Sequence, residues 1–384
     1  MAGPPPFGDG LVTLDRWQDP PYNRWAFQHV RELIPTARIR RGSAVRSLPS
    51  NPLDLGTVSF RCDDRSRSVD EMLDDTYTDG FLVLHQGRVV YERYLNGMER
   101  DTPHLLMSVS KSVVATVAGA LVTRGLLDVS APVTSVVPQL AGTSFEGATV
   151  QQLLDMRTGT RFNENYDDPE ADVRTYERVY LWRPDDGSPR PADALAYYPT
   201  LVNDGSHGGP FRYRSILTDV LGWVVERAGG ARLHELISTL VWQRMGAEYD
   251  AEITVDAHGN GMADASVCAT LRDLARFGTL YLSADSDWVA DTARGAVDGA
   301  EAFVSGENVR EWPPGAHYRN CWWVRDPSAP VLIASGIYGQ NIYVLPSEDL
   351  VVAKFSTWPT PLSEEFERET YVAVEAMAAT LRKQ

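Results

Sequence analysis

From Val109 onward, apolar residues recur every fourth position through Val113, Val117 and Leu121, with Val114 and Ala118 beside them, up to Gly125. This is the period of a helix, and the glycine marks its end. Upstream, Phe81-Leu82-Val83-Leu84 and Val89-Val90-Tyr91 flank His85-Gln86-Gly87-Arg88, the pattern of a hairpin around a short glycine turn. Further helices are expected over 149–156, 215–228, 232–245 and 270–283, with Thr149 as a cap and Gly229-Gly230 and Gly246 as stops. Toward the end the pattern becomes strands at 320–324, 331–334, 341–345 and 351–356. A last helix over 363–382 places Ala373, Val374, Met377 and Leu381 on one side.

Two stretches lack such a pattern. Residues 160–212 are rich in Asp, Pro and Gly and read as long loops. Residues 1–75 are Pro- and Arg-rich and weakly periodic, and read as a wrapping arm without chemistry of its own. Strands at both ends with helices between them predict an α+β fold. Its antiparallel sheet would be assembled from both ends of the chain, flanked by N- and C-terminal helices, around an inserted helical region. The expected division is an arm at 1–75, a sheet part from 76–110 and 316–384, and a mainly helical part at 111–315, with the active site at their interface.

Composition narrows the function classes. Of 384 residues, 43% are apolar and 23% charged, as in ordinary soluble globular proteins. No run of 18 apolar residues occurs, and the start, Met-Ala-Gly-Pro-Pro-Pro, lacks the pattern of a signal peptide, so a cytoplasmic location is expected. A net charge of −16 opposes binding to nucleic acid or to an anionic membrane. Cys62, Cys268 and Cys321 are far apart and odd in number, and the seven histidines are scattered, so neither a metal site nor a cofactor is expected. The expected partner is a small-molecule substrate; a homodimer is compatible with the sequence.

Lysine usage singles out one position. The chain has 33 arginines and three lysines, and Lys111 is the only lysine before Lys354. Arginine cannot act as a base, whereas a desolvated lysine can lose its proton. Lys111 follows Ser108 by three residues, the Ser-x-x-Lys spacing of a serine nucleophile with a lysine base. The helical period puts Ser108 at the helix start and Lys111 one turn in, on the same face. Burial is expected to make the amine neutral so that it can accept the serine proton. The competing reading makes Ser108 a helix cap and Lys111 a solvated first-turn residue, which the helix dipole disfavours.

Four segments in order extend this reading: Ser108-Val109-Ser110-Lys111, Leu153-Leu154-Asp155-Met156-Arg157-Thr158-Gly159, Tyr213-Arg214-Ser215 and Ala334-Ser335-Gly336-Ile337-Tyr338-Gly339-Gln340. Together they resemble the serine β-lactamase and penicillin-binding-protein superfamily, in its class C-like branch of esterases and amidases. The resemblance implies a β-lactamase/transpeptidase-like fold and an acyl-enzyme on Ser108. It also implies that Tyr213 shares the proton work with Lys111, and that the backbone N–H groups of Ser108 and Ile337 form the oxyanion hole. Without it, Tyr213 would read as core packing and 334–340 as a plain edge strand.

Further segments, Trp17-Gln18-Asp19-Pro20-Pro21, Asn23-Arg24-Trp25-Ala26-Phe27, His104 to Lys111 and Gly339-Gln340-Asn341, look like the 6-aminohexanoate-dimer hydrolases, a group of linear-amide hydrolases. That likeness implies substrate-holding roles for Tyr166, Glu177 and Trp182 on the long loop. Glu177 would receive a substrate ammonium through a charge-assisted hydrogen bond. Asp264, in Gly259-Asn260-Gly261-Met262-Ala263-Asp264, is a further candidate for substrate binding.

Two departures bear on substrate. Ala334 stands where the family has the lysine of its Lys-Thr-Gly box, which grips the carboxylate of β-lactams and cell-wall peptides. Ser215 stands at the asparagine of Tyr-x-Asn, with a hydroxyl of different reach. Both favour a hydrolase of linear amides or short-chain carboxylic esters. The alternatives are a β-lactamase or D-Ala-D-Ala peptidase-like enzyme, and a penicillin-binding-type sensor that does not turn over.

Overall fold

The computed structural model describes residues 10–283, 286–307 and 312–383. Its main sheet consists of β1 (Thr78–His85), β2 (Arg88–Tyr94), β3 (His317–Arg319), β4 (Trp322–Val324), β5 (Leu332–Gly336), β6 (Gln340–Leu345) and β7 (Leu350–Ser356). The spatial order is β2-β1-β7-β6-β5-β4-β3, antiparallel throughout. The two ends of the chain meet where β1 pairs with β7, Val83 opposite Val352. This is the α+β, β-lactamase/transpeptidase-like architecture expected from the sequence.

Both faces of the sheet are covered, which is why its central strands read as unbroken apolar runs. Side chains alternate between faces with period two. Phe81, Val83, Leu350 and Val352 pack with Ala373, Val374 and Met377 of the C-terminal helix Glu364–Leu381. Leu82, Leu84, Val351, Ala353 and Phe355 face the main core on the other side. Each such buried side chain contributes roughly 1.5–3 kcal/mol relative to exposure.

Helix α1 (Val109–Thr123) runs through the middle of that core. It is buried nearly all round, including Lys111, Ser110 and Ser112 among its polar residues. Gly119 lets it lie against Trp288, whose ring would be 2.5 Å from any added Cβ. Beside it lie α2 (Asp172–Val179), α3 (Ile216–Gly229) and α4 (Leu271–Thr279).

Several elements differ from the sequence expectation. The stretch 160–212 is not only loop, for it holds α2 and a short helix Ala194–Tyr197. Two turns with a charged residue, Glu177, on the buried face give too weak an apolar period to be recognised. The helix expected over 149–156 ends at Leu154, and Met156 beyond it has a left-handed φ of 55°. The helix expected over 232–245 is Leu233–Ile237, followed by a π turn Ser238–Trp242 and a last turn Gln243–Met245.

The N-terminal stretch also carries structure. Thr36–Ile39 is the edge of a second sheet, followed in space by Ala251–Thr254, Val267–Ala269 and His104–Leu105. The last of these leads straight into Ser108, and Leu105 N donates to Phe27 O at 2.9 Å. Strands Ser59–Cys62 and Arg65–Ser68 pair, and Ser68 and Glu71 form a capping box that starts the helix Val69–Asp75.

Candidate active site

The nucleophile candidate sits on a sharp turn. The short strand His104–Leu105 is pinned by Leu106 N donating to Val267 O at 2.8 Å. Met107 then takes a φ of 46°, a costly conformation for a non-glycine residue, and α1 begins. Ser108 is the N-cap residue, yet its side chain makes no capping hydrogen bond. Instead Lys111 Nζ donates to Ser108 Oγ at 2.8 Å. The capping alternative is therefore not what the chain adopts.

Lys111 is 1% exposed. Besides Ser108 it donates to the Asp264 carbonyl at 3.0 Å and stands 3.6 Å from Asp264 Oδ2. It lies 5.1 Å from the centre of the Tyr213 ring. Burial by itself would lower its pKa, but Tyr213, Asp264, Glu164 and Asp219 outweigh burial and hold it above the ordinary lysine value. Burial was expected from the sequence, but these acids were not, and they oppose the loss of the Lys111 proton that burial favours.

Tyr213 reaches the same point from the other side. Its ring stacks on Trp323 at 5.5 Å, and its hydroxyl interacts with both Ser108 and Lys111. Burial raises the phenol above its ordinary value, although the Lys111 charge opposes this. Two residues on, Ser215 opens α3. Its N–H donates to Glu164 Oε2 at 2.7 Å, and its hydroxyl donates to Glu164 Oε1. Tyr166 OH donates to the same Oε1 at 3.0 Å, so Glu164 ties the long loop to the start of α3.

The edge of β5 closes the site. An added Cβ on Gly336 would meet Leu106 O, Met107 Cβ and Ser108 N, each at 2.8 Å. Only glycine lets the strand approach the nucleophile turn so closely. Ile337, the next residue, lines the same small cavity as Ser108, Tyr166, Ser215 and Asp264. The cavity, about 20 Å³, has room for roughly one water molecule.

The far end of the cavity is built by α2 and the N-terminal stretch. Glu177 and Trp182 line it, and so does Gln18. Trp17 Nε1 donates to Trp182 O at 2.8 Å, and Trp182 Nε1 to Thr254 Oγ1 at 2.9 Å. The Glu177 carboxylate accepts from Gln18 Nε2 at 3.2 Å, Arg174 Nη1 at 2.8 Å and Arg183 Nε. So the arm expected to carry no chemistry supplies a wall of the site. The carboxylate expected to be free for a substrate ammonium is already occupied.

Seven of the nine candidates from the sequence thus line one cavity, and the other two, Lys111 and Tyr213, stand against Ser108. Three residues were missed. Glu164 lies in Asn163-Glu164-Asn165-Tyr166-Asp167-Asp168, where nothing separates it from solvated acids. Asp219 is buried in α3, and its Oδ1 accepts from Ala263 N at 2.7 Å and Asp264 N at 3.2 Å. Burial, and then Asp264, raise its pKa well above the carboxylate range. Gln18 was visible only as part of a resemblance. Among the described residues, no group of three or more His, Cys, Asp or Glu could hold a metal ion. No described helix is long and apolar enough to cross a membrane.

A Ser-x-x-Lys pair at a helix start, a tyrosine facing it, and a glycine-bearing strand end beside it are the arrangement of the serine β-lactamase and penicillin-binding-protein superfamily. The chain belongs to the β-lactamase family, whose profile matches residues 67–377. It is 40% identical over 363 residues to the 6-aminohexanoate-dimer hydrolase of Paenarthrobacter ureafaciens, covering 92% of this chain and 90% of that one. Among solved structures, a Bacillus anthracis protein provisionally assigned as a 6-aminohexanoate-dimer hydrolase superposes with a TM-score of 0.87 at 26% identity, covering 98% of both chains. A class C β-lactamase from Rhodobacter sphaeroides shares the fold at 18% identity and a TM-score of 0.54, over 80% of this chain and 97% of that one.

Proposed function

We propose that this protein is a serine hydrolase that forms an acyl-enzyme on Ser108 and cleaves short linear amides of the 6-aminohexanoate type, or short-chain carboxylic esters. The observation that carries the reading is the 2.8 Å contact between Lys111 Nζ and a Ser108 hydroxyl that plays no part in capping. The family and the 40% identical relative support hydrolysis.

In this reading Lys111 remains an ammonium and Tyr213 is the proton carrier. Both groups are held above their ordinary values, and Tyr213 is assigned the transfer because the acids around Lys111 oppose loss of its proton while the Lys111 charge favours the Tyr213 phenolate. Its phenolate takes the proton of Ser108 as Oγ attacks the carbonyl carbon, while Lys111 steadies the negative charge. The N–H groups of Ser108 and Ile337 receive the oxyanion. Tyr213 then protonates the leaving amine or alkoxide. Water repeats the sequence on the acyl-enzyme and releases the acid.

Tyr166, Trp182, Ser215 and Asp264 shape the substrate site in this reading. A cavity of about 20 Å³ is smaller than a short acyl chain, so in this reading its wall opens for substrate to enter. Ala334 offers no cation where the family's box lysine would stand, which supports a linear amide or ester over a β-lactam as substrate. The test is a paired assay of a 4-nitrophenyl ester and a linear aminohexanoate amide with wild type and Ser108→Ala. Turnover of at least one by wild type, and of neither by the variant, is expected. Equal rates in the variant overturn the proposal.

A further inference from the structure

Three carboxyl groups stand around the Lys111 amine, those of Asp264, Glu164 and Asp219, and they differ in what supports a negative charge. Glu164 accepts from Ser215 N, Ser215 Oγ and Tyr166 OH. Asp264 has Lys111 Nζ 3.6 Å from its Oδ2. Asp219 has neither arrangement. It follows Ser215 by four residues on the same face of α3, and it is buried. Its two donors, Ala263 N at 2.7 Å and Asp264 N at 3.2 Å, both go to Oδ1. Asp219 Oδ2 is buried without a hydrogen-bond partner, and so is Asp264 Oδ1. The Tyr176 hydroxyl acts on Asp219 but closes no hydrogen bond of ordinary geometry. The phenols near this point, Tyr176, Tyr180 and Tyr198, are all raised by burial and bring no charge at neutral pH.

An ionised carboxylate with one bare oxygen in a buried place is unfavourable, and a second carboxylate beside it adds to the penalty. One proton on Asp219 Oδ2 removes both difficulties: it neutralises the group and supplies a donor for Asp264 Oδ1. Burial, and then Asp264, push Asp219 in that direction. Building on the serine-hydrolase reading above, we infer that Asp219 is a positioning residue that works as a neutral carboxylic acid. Its Oδ1 holds the backbone of Ala263 and Asp264, its Oδ2–H serves Asp264 Oδ1, and Asp264 so held keeps Lys111 against Ser108. Asp219 is not among the residues that line the cavity; it acts through Asp264, which is. Its neutrality also leaves one negative charge fewer where the oxyanion develops.

The test compares full-length wild type, Asp219→Asn and Asp219→Ala on a 4-nitrophenyl ester between about pH 6 and 9. Asparagine reproduces the neutral acid: its oxygen accepts from the two backbone N–H groups, and its amide donates where the acid's proton would. It should keep kcat/KM within about threefold of wild type, with the alkaline-rising limb unmoved. Alanine leaves both N–H groups without an acceptor and loosens Asp264, so kcat/KM should fall by about thirtyfold. At neutral pH the infrared spectrum of wild type should contain the C=O stretch of a protonated carboxyl that Asp219→Asn lacks. An asparagine variant as impaired as the alanine variant, a limb displaced in it by about one pH unit, or the absence of that band overturns the inference. So does a folded, unimpaired alanine variant. If Asp219→Ala does not fold, the asparagine variant and the infrared band still decide. Fluorophosphonate labelling of wild-type Ser108, run alongside, separates the two levels. Failure to label would sink the serine-hydrolase reading, whereas labelling with the infrared band missing sinks only the assignment of Asp219.

Discussion

Lys111 Nζ lies 2.8 Å from Ser108 Oγ while Asp264 holds it from behind, through its carbonyl at 3.0 Å and its carboxylate at 3.6 Å. A lysine gripped in this way is an amine held in place and aimed at the serine. Replacing it with methionine should lower kcat/KM by about a thousandfold or more, as removal of electrostatic stabilisation at a buried reacting centre does. Lys111→Arg should recover little, because a planar guanidinium does not fit a site shaped for an ammonium. Steady-state kinetics on a 4-nitrophenyl ester checks both; wild-type-like turnover by either variant would remove Lys111 from the mechanism.

A proton carrier with a raised pKa gives a distinctive pH profile. Burial holds the Tyr213 phenol above its ordinary value. The ionised form that accepts the Ser108 proton is therefore scarce at neutral pH and grows as pH rises. We expect log kcat/KM to climb steadily between about pH 7 and 9 in wild type. A profile flat across that range would mean that a group with an ordinary or lowered pKa carries the proton.

Glu164 links the loop to the start of α3 and raises the Tyr213 pKa by its charge. Glu164→Gln removes the charge and one acceptor. The alkaline-rising limb should move to lower pH, and the maximal kcat/KM should fall by about tenfold, the cost of one unsatisfied buried hydrogen-bonding group. A limb that stays in place would show that Glu164 only holds structure.

The other buried lysine behaves oppositely to Lys111. Lys354 lies on the far face of β7, donating to Thr76 Oγ1 at 2.8 Å and Thr370 Oγ1 at 3.0 Å. Burial lowers its pKa from 10.5 to about 7, with Glu369 and Asp79 only partly opposing. Between these two values the unfolded chain binds more protons than the folded one, so stability gains from this group as pH rises from about 7 to 10.5. Denaturant unfolding of wild type and Lys354→Met at pH 7 and 9.5 should show the difference moving in favour of wild type at the higher pH. Parallel behaviour of the two proteins would contradict it. Both threonine hydroxyls still donate to backbone carbonyls without the lysine.

How much of this was legible in the sequence depends on how local the cause was. The α1 period, the hairpin before it and the strands near the C-terminus announce themselves, because each buries a continuous apolar face. The Ser108–Lys111 pair lies within one turn and could be read from spacing. Tyr213 and Ile337 come from distant segments, and only a resemblance gathered them; Asp264 stood out only through the stretch Gly259–Asp264. The second sheet escaped notice because its strand before Ser108 has two residues. Glu164 and Asp219 were hidden because an acid's role depends on burial, which an acidic loop or a helix interior does not display. The surroundings of Lys111 were hidden in the same way: its burial was foreseen, but Glu164 and Asp219 beside it were not.

The nucleophile itself can be tested most directly by covalent labelling. Full-length protein and Ser108→Ala are incubated with a fluorophosphonate and examined by intact mass and peptide mapping. One adduct per chain, located on Ser108 and absent from the variant, is the predicted result. An adduct that persists in Ser108→Ala, or one that maps to another residue in wild type, would contradict Ser108 as the nucleophile and the acyl-enzyme with it.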